Sequence, residues 1–263
     1  MDYAFVVPCY NEAARWDDSY WRPLLELSGI HWIFVDDGST DGTLELLERT
    51  STFGSAEVVH TSPNRGKAEA VRSGLRRALE SSDVARRGVG FMDADGAFEP
   101  LEVARLIDVF DRRTAGTEAV DAVWSARVAL AGHNIRRSRV RHFIGRAVMT
   151  LVAAGGPPIP YDTQSGLKLF VPSETLLGCL EAPFQTRWLF ELELLNRWQA
   201  RALAPMRIWE EPLNSWVDVP GSKIDARESL RISRELYVIK RQRSRLARAG
   251  AANGNPKQPP PKD

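Results

Sequence analysis

Apolar positions in this chain fall into short unbroken runs, each stopped by polar or turn-forming residues. Tyr3–Pro8 reads as a first strand, apolar toward both faces and stopped by Pro8. Runs of that kind suit parallel strands covered on both sides rather than half-exposed antiparallel ones. The second run, His31–Val35, ends in Asp36-Asp37-Gly38-Ser39-Thr40-Asp41-Gly42-Thr43, dense in turn formers and helix caps, with a helix from Leu44. A third strand, Ala56–His60, leads through Ser62–Lys67 into a helix with Val71, Leu75, Ala78 and Leu79 at helical period. The fourth, Val89–Met92, stops at Asp93-Ala94-Asp95-Gly96, and the next helix opens at Glu99-Pro100, where proline is tolerated. Its inward positions are Val103, Leu106, Ile107 and Phe110. Four strand-loop-helix units in succession predict an α/β fold with a parallel, doubly wound sheet.

After residue 119 the rhythm changes. Ala119–Ser125 reads as a strand, and Arg137–Ala154 as an amphipathic helix ended by Gly155-Gly156-Pro157-Pro158. Asp162–Phe170 reads as a loop and strand, Trp188–Gln199 as a helix and Met206–Pro212 as a last strand. Three segments are expected: one α/β domain over 1–224, a basic amphipathic helix over 225–249, and a Gly/Pro/Asn/Lys-rich tail over 250–263 that cannot bury enough apolar surface to order.

The totals narrow the function. The 263 residues carry a formal net charge of +1. Seven basic residues against one acidic lie from Lys240 onward, so the rest of the chain is net acidic, by about −5, and is no nucleic-acid binder. Cys9 and Cys179 have no metal-ligand spacing and read as reduced thiols of a cytoplasmic protein. No signal peptide or membrane-length apolar run is expected. The helix from Arg137 and the basic helix after residue 225 fit peripheral contact with a membrane; the plainer alternative is that their apolar faces pack on the domain.

The chemistry sits at the strand ends. Asn11-Glu12, Asp36-Asp37 and Asp93-x-Asp95 all fall at the carboxyl edge of the expected sheet, where open α/β folds bind ligands. Carboxylates so close repel unless a cation or a hydrogen-bond donor lies between them, and a nucleotide supplies both, through its base and ribose and through a diphosphate-bound metal. A hard divalent cation suits Asp93 and Asp95. The plainer reading of each pair is a helix-capping turn.

Val6-Val-Pro-Cys-Tyr-Asn-Glu12, Val35-Asp-Asp-Gly-Ser-Thr-Asp41, Asn64-Arg-Gly-Lys67 and Asp93-Ala-Asp95 resemble the family 2 glycosyltransferases, which have the GT-A fold, a mostly parallel Rossmann-like sheet with flanking helices. Asp93-Ala-Asp-Gly-Ala97, Asp162–Phe170, Arg187–Glu193 and Gly221-Ser-Lys223 are similar to the dolichyl-phosphate and polyprenyl-phosphate sugar synthases, the glucosyl branch above all. The resemblance implies a metal-dependent, inverting transfer of a hexose, glucose, from a UDP-sugar to a polyprenyl phosphate, with Mg²⁺ or Mn²⁺. It implies that Pro8, Tyr10, Asn11, Glu12, Asp36, Asp37, Asn64, Gly66, Lys67, Asp93 and Lys223 bind the nucleotide sugar. Asp36 would accept from the uracil or ribose, Asp37 would support its loop, and Asp95 with Asp93 would hold the metal.

By the same resemblance Ser125, Arg127, Arg139, Arg141, Asp162 and Gln164 face the acceptor, and Arg127 joins Asp93 and Asp95 as catalytic. Glu191 is the candidate base for a hydroxyl acceptor. Where mannosyl relatives carry a glutamine this chain has Ala97, a pointer to the glucosyl branch; eukaryotic glucosyl enzymes also carry an N-terminal anchor, which is not seen before Tyr3. A soluble hydroxyl or glycan acceptor, and an inactive nucleotide-sugar-binding protein, are the alternatives.

Overall fold

The computed structural model describes residues 1–81, 87–116, 118–136, 149–150, 152–153, 159–217 and 226–252. Arg139, Arg141 and Lys223, most of the helix expected over Arg137–Ala154, and the tail after 252 lie outside the described residues.

Strands β1 (Tyr3–Cys9), β2 (Ile30–Asp37), β3 (Ala56–Thr61) and β4 (Gly88–Met92) form one side of a seven-stranded sheet of order β3-β2-β1-β4-β7-β5-β8, all parallel. Their unbroken apolar runs have a direct cause. Phe5, Val7, Trp32 and Phe34 point into one core, while Ala4, Val6, Ile33 and Val35 alternate into a second on the opposite face. A strand with both faces buried has no polar side to show. Helices α1 (Asp18–Leu25) and α4 (Pro100–Thr114) supply Trp21, Leu24, Val103 and Leu106 to the first core; α3 (Lys67–Glu80) supplies Val71 and Leu75 to the second. Helix α2 (Thr43–Ser51) joins β2 to β3.

The second side of the sheet departs from the parallel order of the four N-terminal units and gives the mostly parallel sheet that the resemblance implied. Strand β7 (Leu167–Phe170) lies between β4 and β5 (Ala122–Ala126) and runs antiparallel to both, while β8 (Ile208–Pro212) pairs parallel with β5 at the edge. Because β7 runs in reverse, the chain just before it, rather than after it, reaches the edge where β4 ends. The last-strand reading of Met206–Pro212 is corrected: β9 (Ser215–Val217) follows and pairs with β6 (Asn134–Arg136) in a separate two-stranded ribbon. Both are three residues long, too short to carry a period. Helix α5 (Glu174–Cys179), short and capped by Ser173, was likewise not expected.

Helix α6 (Phe190–Ala202) and the C-terminal helix α7 (Ala226–Ala252) pack together. Ile239 of α7 is fully buried with Leu189 and Leu192, and Gln242 accepts from Asn196 at 3.0 Å. Over that stretch the apolar side of α7 is covered by the domain. Its exposed side carries Arg234, Lys240, Arg241, Arg245 and Arg248. Among the described residues no helix is long and apolar enough to cross a membrane.

Candidate active site

Strand β4 is buried along its whole length, so the chain first meets solvent at Asp93. There a cleft of about 430 Å³ opens. It brings together nine of the expected residues: Pro8, Tyr10 and Glu12 after β1, Asp37 after β2, Asn64, Gly66 and Lys67 at the start of α3, and Asp93 and Asp95. Arg15, Arg187 and Trp188 also line it. Asn11 and Asp36 do not line the cleft.

The two adjacent aspartates of β2 face different ways because side chains alternate along a strand. Asp36 is fully buried; its carboxylate accepts from the Ser39 hydroxyl and from His60 Nδ1, the latter at 2.7 Å. His60 is the direct register partner of Asp36 in β3, a pairing across strands that sequence spacing does not disclose. Asp37 instead accepts from the backbone N–H groups of Arg65, at 2.9 Å, and Gly66, at 2.5 Å. That pins the loop entering α3, so the N-terminal end of the helix, with its unpaired N–H groups and partial positive charge, opens on the cleft. Gly66 has φ of +93°, and a Cβ there would meet Arg187 Nε at 2.3 Å, because the guanidinium crosses the glycine to donate to Asn64 Oδ1 at 2.8 Å. Asn11, at φ of +52°, is spent on the same rim: its side chain accepts from Thr40 N–H at 2.9 Å.

The electrostatics are those of a crowded site. Lys67 Nζ lies 2.5 Å from Asp93 Oδ1. Burial pulls the Lys67 pKa down, but Asp93, Glu191 and Asp95 more than offset that and leave it raised. Burial and then repulsion from Asp93 raise the Asp95 carboxyl above its usual range, although it accepts from Ala97 N–H at 3.1 Å and feels Lys67 and Arg15. Arg15 is itself tied to Glu12, with Nη2 to Oε1 at 2.6 Å. A second carboxylate held beside Asp93 against burial and repulsion is the donor set that a hard cation relieves, so the residues present fit a divalent metal. Among the described residues no cluster of three His, Cys, Asp or Glu exists to hold one without help from a ligand.

Across β4 lies the segment before β7. Asp162 receives the Arg127 guanidinium in a two-pronged pair, at 2.7 and 2.8 Å, and also Arg127 N–H at 2.9 Å. Glu210 of β8 accepts from the N–H groups of Tyr161 and Asp162, at 2.7 and 2.8 Å, fixing the turn from behind. Ser125 is fully buried, its hydroxyl shared with Ser165 and the Leu167 carbonyl. Gly166 packs directly on Asp93: its carbonyl accepts Asp93 N–H at 2.9 Å, and a Cβ would meet Asp93 Oδ2 at 2.1 Å.

Glu191 and Glu193, two apart on α6, diverge as that spacing requires. Glu193 accepts from Gln185 and Thr186 N–H. Glu191 is only 3% exposed and sits behind the cleft, 3.5 Å from Lys168 Nζ and bonded by Gln164 at 3.4 Å. Burial pushes the Glu191 pKa up. Beside Glu191 stands Lys168, a fully buried lysine within an apolar strand that sequence reasoning did not single out. Burial lowers its pKa, opposed first by Glu191. Its ammonium donates to the Thr163 and Ser165 carbonyls, and the Glu191 carboxylate stands 3.5 Å away as its ion-pair partner. The only hint was a charge interrupting Leu167–Phe170.

Residues 4–154 match the family described as Glycosyl transferase family 2. The chain is 29% identical over 252 residues to the dolichyl-phosphate beta-glucosyltransferase ALG5C of Trichomonas vaginalis, covering 89% of this chain and 69% of that one. Among solved structures, it resembles glucosyl-3-phosphoglycerate synthase from Mycobacterium tuberculosis in complex with UDP, with a TM-score of 0.59 at 23% identity over 92% of this chain and 79% of that one. It also resembles the mannosyltransferase PcManGT from Pyrobaculum calidifontis in complex with GDP-Man and Mn²⁺, with a TM-score of 0.56 at 21% identity over 98% and 66%. The likeness to both structures is one of fold.

Proposed function

The chain belongs to the family 2 glycosyltransferases, and from that premise we propose that it transfers glucose from UDP-glucose to a polyprenyl phosphate with inversion, using Mg²⁺ or Mn²⁺. The observation that carries the donor half is the cleft in which Asp93 and Asp95, at the end of β4, face Lys67 and the start of α3. Similarity to a dolichyl-phosphate glucosyltransferase supports the sugar and the acceptor.

In the reaction an acceptor phosphate oxygen bonds to the anomeric carbon while the bond from that carbon to the UDP oxygen breaks, its electron pair leaving on the diphosphate. A phosphate acceptor is already anionic near neutral pH, so no proton has to be removed. Asp95, with Asp93, would hold the metal, which when bound supplies Lewis-acid stabilisation of the leaving diphosphate. Lys67 and the N-terminal end of α3 add fixed positive charge on the same side. Pro8, Tyr10, Glu12 and Asn64 would contact the nucleotide, with Asp36 and Asn11 shaping the pocket from behind. Arg127, oriented by Asp162, is the proposed acceptor-phosphate cation, with Arg139 and Arg141 as partners and Gln164 beside it; Lys223 is proposed to reach the donor diphosphate. The position of Glu191, engaged with Lys168 and Gln164 behind the cleft, supports a phosphate acceptor over a hydroxyl one that needs a base. Peripheral contact with a membrane follows from a lipid acceptor.

The test is transfer of label from UDP-glucose, with Mg²⁺ or Mn²⁺, to added polyprenyl phosphate. Label is expected in a chloroform-soluble, acid-labile product. Label that stays in the aqueous phase overturns the acceptor, and the absence of EDTA-sensitive UDP release overturns the enzyme.

A further inference from the structure

The donor cleft has a wall whose geometry is set from the far end of the chain. Helix α6 begins at Phe190 with no side chain of its own neighbourhood capping it. The N–H groups just before it would otherwise lack protein partners where they are partly or fully buried, which is unfavourable. They are satisfied instead by one carboxylate of α7. Glu235, 5% exposed, accepts from Arg187 N–H at 2.9 Å through Oε1, and from Trp188 and Leu189 N–H at 2.9 and 3.1 Å through Oε2. Arg187 and Trp188 are the two residues that carry this segment into the cleft. The Arg187 side chain then crosses Gly66 to reach Asn64. A continuous chain of contacts therefore runs from the C-terminal helix to the loop that opens α3.

We infer that Glu235 is a positioning residue for the nucleotide sugar: by gripping the backbone of Arg187–Leu189 it holds Arg187 and Trp188 against the donor, so docking of α7 completes the binding cleft. This rests on the donor reading given above. A carboxylate suits the task because its two oxygens accept three N–H bonds with no donor of its own facing them. Glutamine keeps one acceptor oxygen and turns an NH₂ toward the same N–H groups. Aspartate keeps the charge but falls one methylene short.

The test compares Glu235→Gln and Glu235→Asp with wild type, and with Arg241→Gln on the exposed side of α7 as a control. Amide hydrogen exchange at residues 187–189 is read first and needs no nucleotide. It is expected to quicken at least tenfold in E235Q, less in E235D, and not in R241Q. Unchanged exchange in E235Q overturns the inference whatever the donor is. UDP-glucose kinetics follow: the KM is expected to rise about tenfold in E235Q with kcat within threefold, E235D lying between. A merely structural role would reduce the active fraction, lowering kcat at constant KM, and that pattern also overturns it. Should E235Q not fold, E235D carries the same two measurements. Wild type that fails to bind UDP refutes the donor reading, while the exchange result still decides whether Glu235 holds the wall.

Discussion

Gly166→Ala isolates the contact between the two halves of the site. The φ of Gly166 is not in the left-handed region, so its backbone tolerates alanine. The added methyl, however, would stand 2.1 Å from Asp93 Oδ2 and 2.3 Å from Cγ. To regain ordinary contact the carboxylate must retreat by roughly 1.3 Å. The backbone cannot open to help, because Asp93 N–H is bonded to the Gly166 carbonyl itself. Asp93 Oδ1 is meanwhile held by Lys67 at 2.5 Å, so the displacement breaks or reorients that ion pair and moves the charge presented to the donor. Misplacement of a catalytic group by about 1 Å costs on the order of 10²-fold in rate, and overpacking costs typically about 1–3 kcal/mol of stability. We expect kcat/KM for UDP-glucose to fall about 100-fold, with a lowering of Tm that leaves the protein folded at assay temperature. Glucose transfer by G166A within threefold of wild type would refute the argument that Gly166 sets Asp93.

The remaining predictions draw on the charges. Asp95 has a raised pKa, so its ionisation opposes folding above the usual carboxylate range, and that penalty vanishes as pH falls below it; Asp95→Asn is therefore expected to raise Tm at pH 7 without metal, the gain fading towards pH 4, while transfer is lost. A Tm gain that persists at low pH would contradict the sign. With two carboxylates and no third ligand among the described residues, Mn²⁺ is expected to bind the free protein weakly and to bind at least tenfold tighter with UDP present; calorimetry showing tight binding without nucleotide argues against a shared site. Asp162→Asn removes the charge that orients Arg127 and should raise the KM for polyprenyl phosphate about tenfold while leaving the KM for UDP-glucose unchanged. Glu191→Gln should reduce transfer to a phosphate acceptor less than tenfold, and loss beyond 10³-fold would assign it the work of a base.

The donor half was legible because its signals are local. Strands β1, β2 and β4 are unbroken apolar runs, and their terminal polar residues, Glu12, Asp37, Asp93 and Asp95, fall on the cleft by topology alone. The other half depends on facts that no window of sequence contains. The direction of β7 is invisible, since a strand buried on both faces looks the same either way round. His60 acquires meaning only through its register opposite Asp36. Lys168 acquires its partners only in the fold, where Thr163, Ser165 and Glu191 surround it. Glu235 acts on backbone groups 46 to 48 residues away.

The reversed strand also bears on how such a protein can be altered. Because β7 enters the sheet from the side opposite its neighbours, the chain between β5 and β7 leaves and returns at one edge, anchored by the Arg127–Asp162 pair at its outset and by Gly166 at its close. Between those anchors the described residues are tied to the domain at two points, Asn134–Arg136 through the ribbon with Ser215–Val217, and Met149 and Val152 in the core with Leu189 and Leu192. An insertion that spares those ties is therefore expected to leave the strands that build the cleft in register, and unchanged UDP affinity of the altered protein would report it.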